Sequence, residues 1–150
     1  LVEIAKKSLE FLLNGTKIIY EISTEEPVSM VYGDSGQIYR IFQNIIVNAK
    51  QAIGEEGKII VRLKDLFNDG KISGLPKGKF VFISISDTGS GIPEEYIDKI
   101  FDPFFTMKKE GKGLGLSIVK NIIEKMGGKI EVESKIGIGT TFKIYLPALE

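Results

Sequence analysis

The chain contains no cysteine, no histidine and no tryptophan. Without cysteine there can be no disulfide, no thiolate metal site and no thiol nucleophile. Without histidine, serine–histidine triads, the usual imidazole metal cages, and any histidine base or phospho-acceptor within the chain are excluded. Net charge is also lacking: 20 Lys and Arg balance 20 Asp and Glu. A neutral chain argues against a nucleic-acid or membrane-surface binder that works through bulk charge. No apolar run approaches the ~20 residues of a membrane helix, and no signal peptide is visible. The chain opens at Leu1 without a methionine and reads as a piece of something larger.

What is present fits one soluble globular domain with a real core: 150 residues, 43% hydrophobic and 27% charged. Glycine stands out at 17 residues, five of them between Gly89 and Gly115. Dense glycine suggests backbone held close to a ligand, or a mobile loop.

Periodicity orders the elements. Residues 1–13 predict an amphipathic helix with Val2, Ala5, Leu9 and Leu12 on one face. Residues 17–23 and 28–32 predict short strands joined at Pro27. Asp34 with Gln37 three residues on reads as a capping box. It opens a helix carrying Ile38, Ile41, Phe42, Ile45, Ile46, Ala49 and Ile53 at helical spacing. Strands at 58–66 and 79–87 flank a polar loop, 67–78. Pro93 starts a short helix, and 102–113 looks irregular. A helix at 114–126 stops at Gly127-Gly128, and strands at 129–135 and 140–146 close the chain. Hairpin-like connections with covering helices predict an α+β two-layer sandwich rather than a doubly wound sheet.

Four groups of residues carry possible chemistry. Asn44 and Asn48 lie one turn apart beside the apolar stripe of the long helix, with Gln51 continuing the row. Asparagine is a poor helix-interior residue. The pair suits either a Mg²⁺–phosphate site, through neutral oxygen donors, or the capping of neighbouring loops. Asp87 shares a strand face with Val81, Ile83 and Ile85. A buried carboxylate needs dedicated donors. Either the amine of an adenine or the turn's own amides at Gly89 and Gly91 could supply them. Gly111-Lys112-Gly113-Leu114-Gly115-Leu116 leads into a helix start, a fit for phosphates or simply a solvated loop. It is neither a Walker loop nor a dinucleotide fingerprint. Gly139-Thr140-Thr141-Phe142 offers a hydroxyl that could hold a water under a base, or a plain strand start.

Together and in this order, these motifs resemble the catalytic, ATP-binding domain of bacterial sensor histidine kinases, within the nucleotide-binding family shared with gyrase, heat-shock chaperones and mismatch-repair ATPases. Residues 44–49 resemble its N box, 87–92 its first glycine box, 101–106 its F box, and 111–116 its second glycine box. Thr88 departs from the asparagine usual at that position. Gln51 stands where many members carry a basic residue, and Met107 replaces a common lid threonine.

The resemblance implies a single catalytic domain over 1–150. Its Bergerat-type fold would be a mostly antiparallel mixed sheet covered on one face by three helices, with a mobile ATP lid at about 102–113. It implies ATP and Mg²⁺ as cofactors and Asn44 and Asn48 as catalytic residues, with Asn48 on the metal. ATP contacts would come from Asn44, Asn48, Gln51, Asp87, Gly89, Gly91, Ile92, Phe104, Thr106, Lys108, Gly111, Lys112, Gly113, Leu114, Gly115, Leu116 and Thr141. The implied activity is a protein histidine kinase of two-component signalling that donates the γ-phosphoryl group to a histidine. That histidine would lie on a separate dimerisation domain of the same parent, upstream of a response regulator. The implied location is cytoplasmic, without direct membrane or nucleic-acid contact.

The alternative is a free-standing ATPase or serine-kinase switch of the same fold. A third reading is a scaffold that has lost transfer, but it predicts loss of Asn48, Asp87 or the glycine boxes, all of which are present. Gyrase-type ATPases place a water-activating glutamate where this chain has Asn44. An amide cannot take a proton from water, which favours the kinase.

Overall fold

The structure is a computed structural model that describes residues 1–105 and 115–149. The elements run α1 (Val2–Leu13), β1 (Lys17–Glu25), α2 (Ser35–Ile53), β2 (Glu56–Asn68), β3 (Gly78–Asp87), a short 3-10 helix (Glu94–Lys99), α3 (Gly115–Lys125), β4 (Lys129–Lys135) and β5 (Gly139–Pro147). The strands form one sheet in the order β1-β2-β3-β5-β4. β1 and β2 pair in parallel, and the other pairs are antiparallel. The parallel pair follows from the α2 crossover that joins its strands, because two strands linked this way emerge pointing the same way. The expected two-layer α+β sandwich is the observed one.

Period-two alternation puts Ile59, Val61 and Leu63 of β2, Val81, Ile83 and Ile85 of β3, and Phe142, Ile144 and Leu146 of β5 on the helix-covered face, all buried. Against them pack Ile38, Ile41, Phe42, Ile45, Ile46 and Ala49 of α2, with Val119 and Ile123 of α3 and Ala5, Leu9 and Leu13 of α1. Each large aliphatic side chain removed from water contributes about 1.5–3 kcal/mol. The inward face of α1 is turned slightly from the expected one, since Leu13 is buried where Leu12 is only half-buried.

Two expectations are corrected. The capping box of α2 is not made: Asp34 occupies the N-cap without a side-chain hydrogen bond. The amides of Gln37 and Ile38 bond to its main-chain carbonyl instead, both at 3.1 Å. Residues 28–32 do not form a strand. Ser29 donates its N–H (2.8 Å) and its hydroxyl (2.6 Å) to the carboxylate of Asp65. Farther on, Val31 makes a single bridge to Ala148 and Leu149 N–H bonds to Met30. The segment's polar groups are taken by β2 and the C-terminal tail, so no ladder forms.

Candidate active site

Asp87 ends β3 on the helix-covered face, as the alternation requires, and is 9% exposed. Its carboxylate accepts the N–H of Gly89 at 2.8 Å and that of Thr140. Burial raises its pKa above the ordinary 3.8, and the two amide bonds only partly oppose that shift. A carboxylate can take about four hydrogen bonds. The turn's amide therefore satisfies part of Asp87 and leaves acceptor capacity for a ligand's N–H.

The loop after Asp87 is fastened on three sides. Thr88 N–H bonds to Lys58 carbonyl, and Thr88 Oγ1 accepts Lys58 N–H at 2.9 Å. The hydroxyl at this departure from the family pattern thus ties the loop to β2. Ser90 N–H bonds to the carbonyl of Ala52 at the end of α2, and Gly137 N–H bonds to Ser90 carbonyl. Ile92 N–H bonds to Ser134 Oγ at 2.7 Å.

The glycines here are required by the protein's own packing. A Cβ on Gly89 would sit 2.7 Å from Ala52 Cβ, and one on Gly91, at φ +81°, would strike the main chain of Lys135. Packing against the protein is thus a sufficient reason for glycine at both positions, alongside the nucleotide contacts that the resemblance implies for them.

Thr141 is also corrected. It pairs with Ser86 in the register, on the sheet face opposite Asp87, and its hydroxyl lies 2.8 Å from Ser86 Oγ. Thr140 pairs with Asp87 and is buried at 5% exposure, with its hydroxyl 2.7 Å from Ser134 Oγ. Period two from Phe142 would have chosen Thr140, because Phe142 faces the core.

On α2, Asn44 and Asn48 are half-buried at the border of the stripe. Neither carboxamide has a hydrogen-bond partner among the described residues, so neither caps a described loop. The amide of Asn44 borders the start of α3: a Cβ on Gly115 would lie 3.5 Å from its Oδ1. One turn beyond Asn48, Ala52 touches Gly89. At ~1.5 Å per residue, the row from Asn44 to Ala52 runs about 12 Å, on the order of a nucleotide's length. Gln51 lies exposed beside this row. Lys50 turns away, with Nζ 3.1 Å from the carbonyl of Leu12 at the end of α1.

In the F box, Phe104 is 75% exposed at φ +67° and is not brought to the group. Phe105 instead packs on the core beside Tyr96, with ring centroids 5.6 Å apart. Phe101 lies edge-on to Phe142 at 6.4 Å, and Lys120 of α3 sits 5.6 Å over its ring. Ile92 and Leu116 are half-buried against the core. Thr106, Lys108, Gly111, Lys112, Gly113 and Leu114 lie outside the described residues, as does most of the expected 102–113 lid.

A donor set of one carboxamide suits Mg²⁺, which keeps waters and borrows oxygens from phosphates. Among the described residues, no cluster of three carboxylate, imidazole or thiol groups could hold a metal alone.

A mixed five-stranded sheet covered by helices, with an asparagine-bearing helix crossing above a buried strand-end aspartate, has the architecture of an ATP-binding catalytic domain. Residues 33–150 match the family described as histidine kinase-, DNA gyrase B- and HSP90-like ATPase. The chain belongs to that family, and within it to the catalytic domains of sensor histidine kinases. It is 41% identical over 143 residues to sensor kinase CckA of Brucella abortus (strain 2308), covering 91% of this chain. It is 37% identical over 134 residues to sensor histidine kinase ZraS of Escherichia coli (strain K12), covering 89%. The nucleotide-free catalytic domain of histidine kinase ThkA superposes with a TM-score of 0.81 at 34% identity, covering 99% of this chain and 92% of that one. The chain spans 15% of CckA and 26% of ZraS. Family membership carries ATP binding with it. No helix among the described residues is long and apolar enough to cross a membrane.

Proposed function

We propose that residues 1–150 form one catalytic domain that binds Mg-ATP and passes the γ-phosphoryl group to a histidine on a separate domain of its parent protein. The observation that carries this reading is the pair Asn44 and Asn48, without a hydrogen-bond partner among the described residues and lined up between the Asp87 pocket and the start of α3. Asp87 accepts the amine of adenine, and Ile92 and Thr140 help wall the base. Asn48 holds Mg²⁺ and Asn44 supports the phosphates beside Gly115. When bound, Mg²⁺ neutralises charge on the phosphate oxygens. Thr106, Lys108, Gly111, Lys112, Gly113, Leu114 and Leu116 complete the proposed phosphate contacts, with 102–113 as the lid and Gln51 at the margin.

The chain's own residues bind and orient; none can serve as a base for water at the Asn44 position. A histidine acceptor elsewhere supplies the nucleophile that this chain lacks. A structure of ThkA in complex with its response regulator protein TrrA supports a response regulator as the downstream partner. A cytoplasmic location is part of the same proposal.

Calorimetric titration with Mg-ATP tests it. Saturable binding followed by a flat baseline is the expected result. Sustained heat would make water the acceptor and support the ATPase alternative, while absence of binding would refute the reading.

A further inference from the structure

The β4–β5 hairpin carries a hydroxyl that joins both walls of the proposed base pocket. Ser134 Oγ accepts the N–H of Ile92 at 2.7 Å. It also lies 2.7 Å from Thr140 Oγ1 and 3.1 Å from the carbonyl of Gly139. Thr140 in turn gives its N–H to Asp87. One small side chain thus links the far end of the glycine loop to the strand that holds the aspartate. Its neighbour Lys135 offers main chain against which Gly91 fits only without a Cβ. Removing the hydroxyl would free the loop end and the Thr140 hydroxyl together, while the β4–β5 ladder and the buried core stay in place.

We infer that Ser134 is a positioning residue for base recognition, which acts through Ile92 and Thr140 and touches neither the base nor the phosphates. The inference rests on the nucleotide reading above. Losing a hydrogen bond of this kind weakens binding about fivefold to tenfold.

The test measures affinity for adenosine and, separately, for inorganic pyrophosphate with Mg²⁺. The unaltered chain, Ser134→Ala and Ser134→Thr are compared, with Ser134→Cys as a near-isosteric second variant should the alanine form not fold. Expected are weaker adenosine binding in the alanine and cysteine forms, restored binding in the threonine form, and unchanged pyrophosphate affinity in all of them. In an Asp87→Asn background, Ser134→Ala should add little. Equal adenosine affinity in the folded Ser134 variants overturns the inference and leaves the nucleotide reading intact. An equal loss for pyrophosphate, or full additivity with Asp87→Asn, assigns Ser134 a general structural role and also overturns it. An unaltered chain that binds neither adenosine nor ADP overturns the nucleotide reading and the inference with it.

Discussion

Substituting Gly91 by alanine separates two reasons for a glycine in the first glycine box. At φ +81° an L-residue meets its own carbonyl, which costs roughly 1–2 kcal/mol. The added Cβ would also collide with the carbonyl oxygen of Lys135 and lie 2.7 Å from that carbonyl's carbon. Main chain held in the β4–β5 ladder cannot swing aside as a flexible side chain would, so overpacking adds about 1–3 kcal/mol. The sum is about 2–5 kcal/mol, and at ~2–4 °C per kcal/mol for a domain of this size the midpoint should fall by about 4–20 °C. Gly74, at φ +84° with nothing within 4 Å of its Cβ position, is the control and should lose only the conformational part. The assay is thermal unfolding by circular dichroism without nucleotide, followed by ADP titration. If Gly91→Ala loses no more stability than Gly74→Ala yet abolishes ADP binding, the packing argument is wrong, and the glycine is there for the ligand.

Other outcomes follow from the same geometry. Asp87→Asn should weaken ATP and ADP binding together; equal affinity in the variant would remove Asp87 from the pocket. Because burial raises the pKa of Asp87, ADP affinity that depends on the charged carboxylate should be full above that raised value. It should fall as pH drops through it, above the ordinary value of 3.8, and the asparagine variant should lack this step. Without ligand the sign reverses: the folded chain holds the proton more tightly than the unfolded one, so Asp87's penalty on stability shrinks as pH falls through the same window. Asn48→Ala should lower the Mg²⁺-dependent part of ATP affinity about tenfold and spare adenosine; equal losses for both ligands would make Asn48 structural. Ile45→Ala, at a fully buried position, should lower folding stability by about 2–5 kcal/mol while the folded variant keeps its ADP affinity, as chemical denaturation and calorimetry would show.

The elements that the sequence made legible are those with long, consistent periodicity. The stripe from Ile38 to Ala49 and the alternation from Val81 to Asp87 each repeat often enough to fix a face. What it hid depends on partners distant in sequence. Residues 28–32 are rich in strand-favouring Val and Tyr, but Asp65 takes the polar groups of Ser29. Asp34 has the right type for a side-chain cap, but makes no such bond. Thr140 and Thr141 are identical as letters, and only strand parity, counted from Phe142 or read from the ladder with β3, puts Thr140 on the face of Asp87. Gly89 and Gly91 are conspicuous in the sequence, but the packing that also demands them lies against Ala52 and Lys135, dozens of positions away. Phe105 rather than Phe104 turns inward because Tyr96 offers it a ring.

The single rod of α2 has a further consequence. It holds the loop beside Asp87 through Ala52, and it carries the two asparagines toward α3. In the proposed site, any push that tilts this rod would move the grip on the base and the grip on the phosphates together, so the two could not be tuned separately from there. Lys50 ties the same rod to the end of α1, which makes the first helix the handle by which a neighbouring segment could work both grips at once.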